Sequence, residues 1–278
     1  MNRWTCCLCT VGQVGPAVCG VTSLGDEVFV LRNKESDQLE VYDIVTYRLQ
    51  RCVTLSNARG FADLISCEHY YCMYISISDP VVTCIHRVEV HGAATQWPVN
   101  DMPAGLSVNK LHNVLVTCTV VRKIKEFSSH GDLLREMTLP DDVSNPEHAI
   151  ELTTDQFVVC HGIGCGNALH RVCLLSVDCT RVVYSHGWQC GSDAGQYNVP
   201  ARLAVDDNEY VLVADMYNRR VTLLSPTLNY IRQVVSSDKL KWGPCRLHLD
   251  IQRRRLYVAE NEWKEGKFTA GRVVVFSI

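Results

Sequence analysis

Ten histidines and fifteen cysteines in 278 residues make metal binding and nucleophilic catalysis the first chemistries to test. A catalytic zinc centre needs three side chains that converge while one position stays open. His148, His161, His170, His186 and His248 are spread over different segments, and neither His-Glu-x-x-His nor Gly-x-Ser-x-Gly occurs. Cys6 and Cys9 form a lone Cys-x-x-Cys without a second pair or a histidine at zinc spacing, and their alternation suits a buried strand. HGIGCG, starting at His161, is glycine-rich but joins one apolar run to another, so no helix N-terminus awaits a phosphate. The expectation is a chain with no catalytic residues, no metal and no cofactor, acting by binding and not as an enzyme.

The elements that must position any binding residues are short strands. From Gly187 to Ser236 a turn-rich lead-in, GSDAGQYNVP, is followed by ARLAVD, a turn at Asp206–Asn208, then YVLVAD, VTLLS and YIRQVVS. Each run has the length, β-branched content and turn punctuation of a strand in a meander. One such meander cannot bury both faces alone. Its leading position recurs. Pro16, Pro103, Pro200 and Pro244 each precede apolar residues at alternating offsets, Pro146 does so on the other parity, and Gly60 stands where a further proline would fall. These anchors are 44, 43, 43, 54 and 44 residues apart. A period in the forties with short apolar runs inside it is the pattern of a propeller. Paired-helix solenoids have similar periods but need long runs at 3.6 periodicity, and none is present.

The expected fold is therefore all-β: a single-domain six-bladed β-propeller of four-stranded antiparallel blades. Its blades are bounded near 16–57, 58–101, 102–142, 143–190, 191–238 and 239–278, with an extra strand at 3–11. The last repeat supplies only three strands. Trp4 to Val11 is expected to pair with Arg272 to Ile278 as the missing fourth, closing the ring and covering an exposed sheet edge. His130-Gly131-Asp132 is expected to turn between the third and fourth strands of the third repeat. With 47% hydrophobic residues the chain can bury a large core, and its formal charge of −3 implies no global attraction to nucleic acid or anionic membrane. No apolar run reaches membrane-spanning length, and the N-terminus lacks the pattern of a secretory signal. The cysteine count is odd and most cysteines sit in apolar runs, which reads as reduced core residues of an intracellular, cytoplasmic protein.

The fifth repeat carries Gly195, Gln196, Tyr197, Asn198 and Pro200, then Val213, Ala214 and Asp215, then Asn218, Arg220 and Val221. This resembles the consensus of NHL repeats, the blades of certain six-bladed propellers. The sixth repeat is a fair match through Val258, Ala259, Glu260, Asn261, Arg272 and Val273, and the first four keep only anchor and spacing. Asp215 and Arg220 are expected to pin the second-to-third-strand hairpin through charge-assisted bonds, a scaffold role. The resemblance implies a partner surface on the face carrying the first-strand lead-ins and the second-to-third-strand turns. Those segments hold Arg202, Tyr217, Arg219, Trp242, Arg246, Trp263, Lys264, Lys267, His148 and His161, together with Trp188 and Tyr197. Arginine and aromatic residues together have the composition of binding hot spots.

A protein partner is the first expectation, as in the C-terminal platform of tripartite-motif NHL proteins, which resemble ubiquitin ligases when a RING precedes them. No RING lies in this chain, so ligase activity is not expected from it. Single-stranded RNA is the second, through Arg202, Arg219, Arg246, Lys264 and Lys267 beside stacking aromatics. A metal-dependent lyase or hydrolase is the remote third. The domain itself is expected to be monomeric.

Overall fold

A computed structural model describes residues 9–32, 38–55, 60–79, 81–90, 93–162, 169–193 and 195–278. The first strand, β1 (Cys9–Gly15), precedes blade one, which is β2 (Val18–Leu24), β3 (Glu27–Arg32), β4 (Gln38–Asp43) and β5 (Leu49–Thr54). Blade two is β6 (Phe61–Cys67), β7 (Cys72–Ser78), β8 (Thr83–Glu89) and β9 (Ala94–Pro98). Blade three is β10 (Pro103–Val108), β11 (Val114–Cys118), β12 (Lys123–Phe127) and β13 (Leu133–Thr138). Blade four is β14 (Pro146–Glu151), β15 (Phe157–His161), β16 (His170–Leu175) and β17 (Val182–Trp188). Blade five is β18 (Pro200–Val205), β19 (Val211–Asp215), β20 (Arg220–Leu224) and β21 (Tyr230–Val235), and blade six has β22 (Gly243–Asp250), β23 (Arg255–Lys264) and β24 (Lys267–Ser277). Every sheet is a four-stranded antiparallel meander, and the sixth is completed by β1 in the order β1-β24-β23-β22. The fold is the expected closed six-bladed ring.

The closing strand pairs as expected over Cys9–Val11 and runs on to Gly15. Cys9 pairs with Val275, Val11 with Val273 and Gly15 with Gly271, whereas Trp4 to Leu8 lie outside the described residues. The ladder shifts register between Val11 and Gly15. Gly12 sits there at φ +64, where an added Cβ would come 2.5 Å from the Tyr42 hydroxyl oxygen. Two glycines close together argue against a strand on propensity alone. Here one of them turns the chain in the left-handed region and lets β1 pass close to blade one.

The core lies between blades, not inside one. Six clusters of buried apolar side chains each bridge two neighbouring blades. Phe29 and Leu39 of blade one, for example, share a cluster with Met73 and Ile75 of blade two. Across the closure, Val11 packs with Val28 and Tyr42 of blade one and with Tyr257 and Val275 of blade six. Radial sheets explain the runs of consecutive buried residues in the second and third strands, such as Val211–Asp215, because both faces of each sheet meet a neighbour. Most described cysteines, including Cys72, Cys118, Cys160 and Cys173, are buried and unpaired, as small core hydrophobes.

Each innermost strand carries a register irregularity at its start. The ladder skips one residue between Val18 and Gly20, Phe61 and Asp63, Pro103 and Gly105, Pro146 and His148, Pro200 and Arg202, and Pro244 and Arg246. The residues left out of the pairing are Cys19, Ala62, Ala104, Glu147, Ala201 and Cys245. A bulge re-aims the next side chain and frees a backbone group from the ladder. The six residues that follow the bulges are Gly20, Asp63, Gly105, His148, Arg202 and Arg246. The two glycines are required by contact: an added Cβ at Gly20 would lie 2.3 Å from Leu64 Cβ, and one at Gly105 would lie 2.5 Å from the Glu147 carbonyl oxygen. Gly20→Ala is predicted to cost about 1–3 kcal/mol, the usual penalty of forcing atoms into a packed site. A melting curve that does not move would show that the inner strands have slack there.

Candidate functional site

The bulged carbonyls all find donors, and the donors come from two side chains. Arg202 donates Nη1 to the carbonyls of Ala201 (2.8 Å) and Glu147 (3.4 Å), and Nη2 to that of Ala104 (2.6 Å). Arg246 donates Nε to Cys19 O (2.6 Å), Nη1 to Cys245 O (2.7 Å) and Nη2 to Ala62 O (2.5 Å). Two planar guanidinium forks thus hold one carbonyl from each of the six blades. Asp63 lies against both arginines, with Oδ1 3.2 Å from Arg246 Nε and Oδ2 3.5 Å from Arg202 Nε, and it accepts the Leu106 N–H at 2.8 Å. His148 donates Nε2–H to Leu106 O (2.8 Å) and accepts the Leu203 N–H on Nδ1 (3.3 Å), which links blades three, four and five. This neutral tautomer fits its environment: burial holds the His148 pKa down to about 4.

These contacts move three sequence candidates. Arg202 is 3% exposed and His148 6%, and the Arg246 side chain is 19% exposed; all three tie the inner strands together at the ring centre instead of facing a partner. The signal that could have found them was the repeat itself. Arg202, Arg246 and His148 share one offset from the anchor proline, so they share one level of the ring.

His161 is also interior, at 0% exposure. It ends the second strand of its blade, where blade five has Asp215 and blade six Glu260, each opposite the residue before the bulge. In blade five Asp215 accepts the Asn198 N–H (2.7 Å), Asn218 Nδ2 (2.8 Å) and Arg220 Nε (2.7 Å), while Arg220 reaches the Ser192 and Gln196 carbonyls. In blade six Glu260 accepts the Trp242 N–H (2.8 Å) and Arg272. In blade four His161 donates Nδ1–H to Ser144 O (3.1 Å) and accepts Arg171 Nε on Nε2 (2.9 Å). Ser144, Asn198 and Trp242 each lie two residues before the anchor proline. One lock recurs in three chemistries, and the Asp215–Arg220 pair is the scaffold element expected of it.

Burial and the Arg171 charge hold the His161 pKa down to about 4, and burial does the same for His248. Above pH 6.5 these rings are neutral folded or unfolded. As the pH falls from 6.5 towards 4 the unfolded chain takes up protons first, so stability is lost across that window. The loss is on the order of 3 kcal/mol per histidine by pH 4. His161→Gln, which can both donate to Ser144 O and accept from Arg171, is predicted to leave stability at pH 7.5 within about 1 kcal/mol and to remove one such share of the acid sensitivity. Urea melts at both pH values check it; equal acid sensitivity in the variant would refute the assignment.

The remaining candidates are brought together. Tyr217, Arg219, Trp242 and Trp263 line one open cleft of about 330 Å³, with Lys241, Glu262 and Asn261. Its walls are held by backbone bonds: Tyr217 N–H to Asn198 O (3.0 Å) and Arg219 N–H to Met216 O (3.1 Å), while the Trp242 N–H is the one fixed by Glu260. Lys241 Nζ sits 4.4 Å from the Trp242 ring centroid. Trp263, Lys264 and Lys267, expected in a loop, lie instead on an extension of the β23–β24 hairpin. Lys264 pairs with Lys267 across Glu265 and Gly266, both at positive φ (53 and 76). Positive φ at both central residues of a two-residue loop is the twist that matches a hairpin. Trp263 packs edge-on against its cross-strand neighbour Phe268 at 4.8 Å. Lys264 and Lys267 are exposed at the tip beyond the cleft. Trp188 is exposed in β17, and Tyr197 is buried. Part of HGIGCG lies outside the described residues. Among the described residues no three His, Cys, Asp or Glu side chains are arranged to hold a metal ion.

No protein-family model matches the chain, and no curated protein matches it in sequence. Solved structures match it in fold. The chain is a six-bladed β-propeller similar to virginiamycin B lyase. Against that enzyme from Staphylococcus aureus the TM-score is 0.63 over 99% of this chain and 89% of the other, at 10% identity. A streptogramin B lyase structure gives 0.61 over 96% and 97%, also at 10% identity. A Bacteroides thetaiotaomicron protein of unknown function gives 0.69 over 96% of this chain and 75% of that one, at 11% identity. Likeness at such identity is a likeness of fold alone.

Proposed function

We propose that this propeller, of NHL-like type, is a non-catalytic platform that binds a protein partner in the cleft of Tyr217, Arg219, Trp242 and Trp263. The observation that carries the reading is the convergence of three aromatic side chains and two cations on one open surface, with Tyr217 48% and Trp263 49% exposed. Aromatic and arginine side chains on a pre-ordered backbone give contact area at small entropic cost. Arg219 and Lys241 against the single carboxylate of Glu262 leave the cleft mildly positive, which suits an acidic segment with apolar side chains.

Single-stranded RNA is the weaker reading. It needs a continuous basic track, yet Arg202 and Arg246, two of the five cations that would form it, are committed to the bulged carbonyls. A photoreactive side chain at Tyr217 is expected to capture a protein that the same probe at Tyr71, far from the cleft, does not. Tyr217→Ala combined with Trp263→Ala should weaken binding of that protein at least about tenfold. Tight, steeply salt-dependent binding of short RNA with no protein captured would replace this reading with the second.

A further inference from the structure

One side chain breaks a pattern that runs round the ring. Opposite the residue before each bulge, the second strands carry Arg32, Ile77, Cys118, His161, Asp215 and Glu260. Two residues earlier, each second strand pairs with a third-strand residue: Glu40, His86, Lys125, Cys173, Thr222 and Val274 in blades one to six. Val274 is apolar and buried, and four of the others are engaged inside the ring. Glu40 accepts Arg32 Nε (2.7 Å) and the Tyr42 hydroxyl (2.8 Å), and Lys125 donates to Val99 O (2.8 Å). The Cys173 Sγ lies 3.5 Å from His161 Nε2, and Thr222 Oγ1 lies 3.2 Å from the Tyr197 hydroxyl oxygen. His86 differs. It is 7% exposed, and among the described residues neither ring nitrogen has a hydrogen-bond partner. Neither nitrogen is sealed from solvent. Burial holds its pKa below the usual value, so at pH 7 the ring is neutral and offers one donor and one acceptor.

His86 lines a groove of about 300 Å³ on the outside of the ring, between β5 of blade one and β8–β9 of blade two. Val53, Leu55, Val88 and Ala94 supply its apolar walls. Thr54, Thr95 and Gln96 add polar groups, and Gln96 is the cross-strand neighbour of His86. These three are exposed, and among the described residues their side chains make no hydrogen bond. No charged side chain among the described residues lines the groove. Arg51, two residues before Val53 on β5, is held by Glu27, Nη2 to Oε2 at 2.9 Å. A charged ligand would therefore lose water here and gain no counter-charge. The matching ligand is uncharged, both donates and accepts hydrogen bonds, and carries small apolar groups. An extended peptide has that make-up. In a ladder one extended residue gives its N–H and C=O to the same side, and a glutamine carboxamide presents an acceptor and a donor side by side to meet them.

We infer that this groove binds a short, uncharged, extended peptide segment of a partner protein, with its backbone on Gln96 and His86 and a small aliphatic side chain against Val53, Leu55 and Val88. The imidazole gains the partner it lacks inside the ring, and the apolar walls remove the aliphatic side chain from water. The groove belongs to blades one and two, the aromatic cleft to blades five and six, so this site stands if the reading of that cleft fails.

The test is an NMR titration of the full chain with isotope-labelled histidine, the His86 ring signals being identified by their loss in His86→Phe. The probe is the blocked dipeptide N-acetyl-valyl-alanine N-methylamide. The control is valyl-alanine with free amino and carboxylate ends. The blocked peptide is expected to move the His86 ring signals saturably, and the charged one to bind at least about tenfold more weakly. Gln96→Leu, on an exposed outer strand, should weaken the blocked peptide by about tenfold or more, and Gln96→Glu is the second variant should the first fail to fold. Equal binding of the two peptides would reduce the groove to an unselective crease and overturn the inference. So would a His86 ring that does not respond to the blocked peptide, or binding unchanged in both Gln96 variants.

Discussion

Arg202→Met should lower the stability of the whole ring by about 4 kcal/mol, read as a large fall in the urea midpoint with an unchanged slope. The change removes the donors of three bulged carbonyls in blades three, four and five and leaves Asp63 facing one arginine instead of two. Each abandoned carbonyl loses a hydrogen bond where water has little access. Arg202→Lys should recover less than half of the loss, because an ammonium is a point donor and cannot span three carbonyls as a planar fork does. Arg246→Met should behave alike through Cys19, Cys245 and Ala62. A midpoint that stays in place after Arg202→Met would mean the carbonyls are satisfied some other way, and the account of the ring centre would fall.

Removal of residues 1–15 should have an effect of comparable size. It takes away β1, which pairs with β24, and with it the fully buried Val11 side chain between blades one and six. Losing a buried valine costs about 2 kcal/mol, and losing a strand's ladder adds to that. It also bares the β24 edge, so concentration-dependent association should accompany the lower melting temperature. Val11→Lys tests the packing part alone and should lose about 3 kcal/mol, because an unpaired charge would sit in an apolar cluster. A truncated chain that melts like the intact one would show that β1 only rests on blade six.

The ring was legible in the sequence because its information is local and repeated. Alternating apolar runs, turn residues and proline anchors specify each blade separately, and the blade-five motif gave the Asp215–Arg220 lock by residue type. The inner ring was hidden for a different reason. A bulge is one extra residue in a strand and leaves no mark on hydrophobic alternation, so Arg202, Arg246 and His148 read as part of an exposed lead-in. Most of the acceptors that define their role lie tens to hundreds of residues away. Trp263 and its flanking lysines lie beyond the apolar runs that mark the strands; the hairpin extends there on the Glu265–Gly266 turn and the Trp263–Phe268 pair. The partner cleft was legible in Tyr217, Arg219, Trp242 and Trp263, and their common location required two blades to be placed side by side.

The guanidinium pair also sets an order of assembly. A chain emerging from the ribosome delivers its N-terminal segments first. Four sheets, with their kinked strands and unsatisfied oxygens, are therefore exposed before Arg202 is made, and Arg246 and the partner strand of β1 follow later still. Nascent fragments halted before residue 200 should stay open to proteases, and resistance should arrive in one late step once both side chains have cleared the exit tunnel.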